Sequence, residues 1–221
     1  MFVKICGTTS EGDALLAVAM GADAVGFVFA PSSRQVAPSV AADIAKRLPP
    51  EILTVGVFRD ESPQRVVDIM KSTGLKAAQL HGREKPEDTA WIRRRVRMVI
   101  KAFPASKGVA ANIAEYDVDA VILDGPEPGT GQVFDWRLAD GVPQNRRLLL
   151  AGGLDPDNVA DAIARVKPWG VDVVSGVESR PGVKDPRRLR SFVAAAKAAA
   201  PLAYEPVSDG PYDWQEGPSW R

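Results

Sequence analysis

Apolar residues fall along this chain in short dense runs, and between the runs they recur at helical spacing. The dense runs are Phe2–Cys6, Ala24–Phe29, Ile52–Phe58, Ala77–Leu80, Arg97–Phe103, Ala120–Leu123, Arg147–Leu150 and Val171–Val174. Rich in Val, Ile and Leu with little polar alternation, they predict strands buried on both faces. Helical patterns cover Glu11–Met20, Ser39–Arg47, Ser62–Thr73, Pro86–Arg95, Val109–Glu115, Asp157–Arg165 and Asp185–Ala199. Ser39 is expected as an N-cap, Pro63 in a first turn, and Pro49-Pro50 as a stop. Eight strand-like runs, each followed by a helix or a place for one, predict an α/β fold, a single (β/α)8 TIM barrel of parallel strands. The barrel is expected over residues 1–200. The tail from Pro201 to Arg221 holds Pro, Gly, Asp and Ser together with Tyr204, Tyr212, Trp214 and Trp220. It is expected to lie against the barrel or a second subunit rather than form a domain of its own.

Charge and cysteine usage narrow the function. Lys and Arg number 28 against 28 Asp and Glu, so there is no cationic excess to meet nucleic acid or a membrane surface. A local basic pocket for a small phosphorylated ligand remains compatible with that balance. With one cysteine, an internal disulfide is impossible and a cysteine-based metal cluster is not expected. A solitary thiol suits a reducing compartment, so the cytoplasm is expected. Met1–Cys6 lacks the cationic-then-apolar design of a signal peptide, and no apolar run reaches the roughly 18 residues of a membrane span. Monomer and homodimer both stay open.

In a barrel of this kind the chemistry gathers where the strands end at their carboxyl side. Cys6 closes the first run, Arg34 lies after the second, His81 after the fourth and Asp124 after the sixth. Cys6 reads either as a buried apolar thiol or as a site residue; as a base it needs a nearby cation, for which Lys4 and Arg34 are candidates. Alternation along the strand points Lys4 the same way as Cys6, toward the barrel interior. Asp124 is either a loop anchor or an acid, since burying a carboxylate unpaired is costly. Asp172, inside the eighth run, would orient another group or form a buried ion pair. Gly152-Gly153 and Ser175-Gly176 follow the last two runs, where backbone N–H groups and a short helix start can hold a phosphate. Arg34 in a pocket would suit a carboxylate or phosphate. Pro128-Gly129-Thr130-Gly131 is either a mobile loop over the site or a turn.

Taken together, these segments resemble the phosphoribosylanthranilate isomerases. The resemblance rests on Lys4-Ile5-Cys6-Gly7, Gly26-Phe27-Val28-Phe29, Ser33-Arg34, Val55-Gly56-Val57-Phe58 and Gln79-Leu80-His81-Gly82. It continues through Leu123-Asp124, Gly129-Thr130-Gly131, Phe134-Asp135-Trp136, Leu150-Ala151-Gly152-Gly153-Leu154, Val171-Asp172, Ser175-Gly176-Val177-Glu178 and Lys184-Asp185, in order from Phe2 to about Ala199. The resemblance implies an Amadori rearrangement of N-(5'-phosphoribosyl)anthranilate to 1-(o-carboxyphenylamino)-1-deoxyribulose 5-phosphate, without metal or organic cofactor. It implies Cys6 as general base and Asp124 as general acid, with Arg34 on the anthranilate carboxylate. Gly152, Gly153, Ser175 and Gly176 would hold the phosphate, and His81 and Asp172 would line the pocket. The chain departs from the family pattern at Pro31-Ser32-Ser33 and Gln35 around Arg34, at Glu127-Pro128, and at Val174. None of these is the expected acid or base.

Three other readings stand beside this one, one of them a scaffold whose tail, Pro201 to Arg221, docks a partner protein. A related histidine-pathway sugar isomerase would carry an aspartate where this chain has Cys6, and would need a second phosphate site. A non-catalytic barrel binding a phosphorylated metabolite would need neither Cys6 nor Asp124.

Overall fold

The computed structural model describes residues 1–125, 135–142 and 146–200. The expected glycine segment 128–131 and the aromatic tail 201–221 therefore lie outside the described residues. Eight parallel strands close into a barrel in chain order: β1 (Phe2–Ile5), β2 (Ala24–Val28), β3 (Leu53–Phe58), β4 (Ala77–Leu80), β5 (Val99–Pro104), β6 (Ala120–Asp124), β7 (Leu148–Leu150) and β8 (Gly170–Val173). Closure comes from β1 against β8, where Lys4 pairs with Asp172 and Ile5 with Val173.

The helices are α1 (Glu11–Ala19), α2 (Pro38–Ala45), α3 (Pro63–Thr73), α4 (Pro86–Arg93), α5 (Val109–Ala114), α6 (Val159–Val166) and α7 (Pro186–Ala198). Their starts follow local chemistry. Ser10 accepts the Asp13 N–H ahead of α1, and Asp185 accepts the N–H groups of Arg187 and Arg188 ahead of α7. α3 starts at Ser62 with Pro63 in its first turn and ends on Gly74 in the left-handed region. The expected Ser39 cap is a correction. Ala37 occupies that position, and Pro38, whose missing N–H costs nothing in a first turn, begins the helix one residue earlier.

After β6, the described residues hold a 3₁₀ turn, Trp136–Ala139. After β8 come a 3₁₀ turn, Ser175–Val177, and a small antiparallel hairpin that the apolar pattern did not predict, β9 (Glu178–Arg180) with β10 (Val183–Lys184).

Two apolar layers result from strand alternation. Val3, Ile5, Val25, Phe27, Val121 and Leu123 face outward under the helices, with Val66, Ile92, Ile163, Leu189 and Phe192 packed on them. Phe2, Cys6, Leu53, Val55, Ile100, Ile122 and Leu149 fill the barrel interior. Fully burying each large side chain contributes about 1.5–3 kcal/mol, so the two layers make the strand ends a rigid platform.

Candidate active site

Inward-facing positions carry the chemistry toward one mouth. On β1 the inward residues are Phe2, Lys4 and, at the strand's end, Cys6; on β6 they are Ala120, Ile122 and Asp124. Following the same alternation, β4 sends in Ala77, Gln79 and then His81, and β8 sends in Asp172. Each strand thus places its polar residue at or near the carboxyl end. Cys6, Arg34, His81, Asp124, Gly152, Gly153, Asp172 and Ser175 all line one cleft of about 180 Å³ at that end. Gly176 lies behind it. A side chain there would collide with the Leu154 carbonyl, so glycine lets the loop after β8 press against the loop after β7. Gly152 and Gly153 both have positive φ, at 81° and 68°, and a β-carbon on Gly152 would stand 2.9 Å from Asp124 Oδ1.

Beneath Cys6 lies a buried ion pair. Lys4 Nζ stands 2.9 Å from Asp172 Oδ1, with side-chain exposures of 0% and 5%, so Asp172 does form the ion pair that was one of its two expected fates. Burial works to lower the Lys4 ammonium, but the charges of Asp172 and Cys6 outweigh it and hold Lys4 above the usual lysine range. For Asp172, burial lifts the carboxyl and Lys4 opposes the rise. For Cys6, burial pushes the thiol up, and the charge of Lys4, with smaller help from Lys184, offsets only part of that push. The expected cation is therefore present, yet burial outweighs it and the free thiol stays above its ordinary value. Gly26 keeps this corner open, since a β-carbon there would be 2.7 Å from Cys6 Sγ and 3.3 Å from Lys4 Nζ.

Across the cleft, Asp124 Oδ1 accepts the Gly125 N–H at 2.7 Å, and Oδ2 lies 3.1 Å from His81 Nε2. Gln79 Nε2 lies 3.1 Å from His81 Nδ1, so the amide holds the ring with its Nε2 edge facing Asp124. His81 Nε2 is out of line with the carboxylate for a hydrogen bond and has no partner among the described residues.

Arg34 is already engaged. Its Nε donates to Glu178 Oε1 and Oε2 at 2.9 and 3.1 Å, and its Nη2 donates to Oε2 at 2.8 Å. It is thus a poor direct partner for the thiol. A second buried pair, Lys101 with Glu84 at 3.0 Å, braces the loop after His81: Lys101 Nζ donates to the Gly82 carbonyl and Glu84 accepts the Gly82 N–H.

The sequence matches the family model for N-(5'phosphoribosyl)anthranilate (PRA) isomerase over residues 3–195. The chain belongs to the phosphoribosylanthranilate isomerase family. It is accordingly an isomerase of tryptophan biosynthesis. An N-(5'-phosphoribosyl)anthranilate isomerase of Desulforudis audaxviator is 50% identical over 204 residues, covering 89% of this chain and 98% of that protein. The crystal structure of the Thermus thermophilus phosphoribosyl anthranilate isomerase is 43% identical with a TM-score of 0.85, covering 90% of this chain and 99% of that one. A further phosphoribosyl anthranilate isomerase structure, in complex with reduced 1-(o-carboxyphenylamino)-1-deoxyribulose 5-phosphate, is 42% identical with a TM-score of 0.80 over the same shares.

Within this phosphoribosylanthranilate isomerase fold, sequence reasoning did not single out Glu84, Lys101, Glu178 or Lys184 as site residues. Lys101 carried a usable signal, a lone cation in the apolar run Val99–Phe103 that is buried on both faces. Glu178 and Lys184 stand in segments that carry the family resemblance, but nothing marked them as buried, because the hairpin that holds them has no apolar pattern.

Proposed function

We propose that this chain converts N-(5'-phosphoribosyl)anthranilate to 1-(o-carboxyphenylamino)-1-deoxyribulose 5-phosphate with Asp124 as general acid and Cys6 as general base. The observation that carries this reading is the placement of a thiol and a carboxyl on different strands of one cleft, each with its own buried surroundings. Asp124 gives a proton to the ribose ring oxygen as the anthranilate nitrogen pushes the ring open, leaving an iminium. The Cys6 thiolate then takes the proton from the sugar's second carbon, and the enol-amine tautomerises to the ketone. Two groups are required because one must hold a proton while the other lacks it. A thiol raised by burial is a stronger base once ionised, at the expense of a smaller ionised fraction. Lys4, held charged under Cys6, is the countercharge for that thiolate.

His81 Nε2, without a hydrogen-bond partner among the described residues, faces a substrate oxygen beside Asp124. The glycines after β7 and the start of the 3₁₀ turn at Ser175 offer backbone N–H groups and a hydroxyl to the phosphate. Arg34 presents Nη1, which has no partner among the described residues, to the anthranilate carboxylate. A relative holding the reduced form of the product agrees with a phosphorylated small-molecule ligand here. The test is steady-state turnover of freshly made phosphoribosylanthranilate, read by loss of its fluorescence, with the histidine-pathway substrate run alongside. Turnover of the first substrate alone is expected. Equal turnover of both, or silence from folded protein, contradicts the assignment.

A further inference from the structure

The β9–β10 hairpin buries two charges without an apolar reason to do so, and three of their partners, Cys6, Arg34 and Val174, line the cleft. Lys184 Nζ donates to the Cys6 carbonyl at 2.6 Å, to the Val174 carbonyl at 3.3 Å and to Glu178 Oε1 at 3.2 Å. Those three acceptors use every proton of the ammonium. Glu178 in turn takes the Arg34 fork and the Gly182 N–H at 3.3 Å. The side chains of Glu178 and Lys184 are 3% and 0% exposed. Thr9 Oγ1 donates to the Gly182 carbonyl at 2.6 Å, tying the hairpin's turn down beside the end of β1. The stem of Arg34 packs on Gly7, where a β-carbon would come within 2.8 Å of Arg34 Cδ. One buried ammonium therefore joins the residue proposed as base, the strand end leading into Ser175, and the carboxylate that aims Arg34.

We propose that Glu178 and Lys184 are positioning residues for the isomerisation, with Glu178 aiming Arg34 at the substrate carboxylate and Lys184 fixing Cys6 against the loop after β8. This rests on the reading of Arg34 and Cys6 given above. A buried ion pair is weak evidence for stability by itself. Here it holds a two-pronged guanidinium in one orientation and leaves Nη1 with no partner among the described residues. Among the described residues, the charged groups around Cys6 are Lys4 on β1, Asp172 on β8, Arg34 after β2 and Lys184 on β10.

The experiment is a double-mutant cycle on KM for phosphoribosylanthranilate with Arg34→Ala, Glu178→Gln and the pair combined. Loss of a charge-assisted contact is expected to raise KM by about 10-fold or more in Glu178→Gln, with a smaller fall in kcat. The double variant is expected to be no worse than Arg34→Ala alone, because Glu178 acts through Arg34. If Arg34→Ala raises KM but Glu178→Gln does not, or the two effects add, the positioning role is overturned. If Arg34→Ala leaves KM unchanged, the role of Arg34 itself fails instead, and with it the aiming role of Glu178. Should Glu178→Gln not fold, Glu178→Asp keeps the charge on a shorter arm and is expected to raise KM in the same direction; an unchanged KM overturns the proposal equally. In Lys184→Met, the ultraviolet thiolate titration of the chain's single cysteine is expected to move to higher pH. An unmoved titration removes Lys184 from the account.

Discussion

Replacing Lys4 with Met removes the ammonium under Cys6 while keeping an unbranched side chain of similar reach in the barrel interior. The partner is then exposed to the full cost of its burial: Asp172 is 5% exposed, and Lys4 Nζ at 2.9 Å is its ion-pair partner. Breaking a buried pair from one side costs about 3–5 kcal/mol, a large share of the roughly 5–15 kcal/mol that holds an ordinary domain together. The penalty should depend on pH with a definite sign. Burial already lifts the folded-state Asp172 carboxyl above its ordinary value, and losing Lys4 lifts it further. The folded state then binds more protons than the unfolded state above the unfolded carboxylate range, so stability falls as pH rises through that window. Urea denaturation of Lys4→Met should therefore show a larger loss at about pH 7.5 than at about pH 5. Adding Asp172→Asn, which removes the stranded charge, should return most of the loss. A penalty below about 1 kcal/mol, or a double variant no better than the single, would refute the reasoning from an uncompensated buried charge.

Other substitutions test neighbouring claims. Gly26→Ala places a β-carbon 2.7 Å from Cys6 Sγ; steady-state assays should show a fall in kcat of about 10-fold or more, as expected for a displaced base. Gly176→Ala forces the loops after β7 and β8 apart at the Leu154 carbonyl, so KM for the phosphorylated substrate should rise and the denaturation midpoint should drop, by about 1–3 kcal/mol of stability. Because burial raises the Cys6 thiol and leaves it 4% exposed, alkylation of the free protein should be slow at neutral pH. Its rate should still be climbing above pH 9.0, the thiol's ordinary value; a plateau below that pH would contradict the raised thiol.

The barrel was legible because strands buried on both faces must be apolar almost throughout, and all eight dense runs became its staves. The mouth residues were legible for a related reason: Cys6, His81 and Asp124 each follow an apolar run at the end where loops gather. Lys4 could be placed inside the barrel by alternation alone, and its pairing with Asp172 follows from the β1–β8 register. Pairing across the closure of the barrel joins residues 168 positions apart, which no local pattern encodes. For the same reason, Arg34 read only as a candidate cation for Cys6 or a binder of carboxylate or phosphate, and the fold revealed Glu178 gripping it from 144 positions away. The raised Cys6 thiol was also beyond reach, because its sign depends on how far burial outweighs Lys4. Ser39 misled as a cap since Pro38 could start the helix earlier.

Turnover of phosphoribosylanthranilate by Cys6→Ala and Asp124→Asn, each shown to be folded and compared with the unaltered chain, tests the acid–base assignment most directly. Removing a positioned acid or base should lower kcat/KM by about 100-fold or more in each variant. Near-normal turnover in either would contradict the role given to that residue.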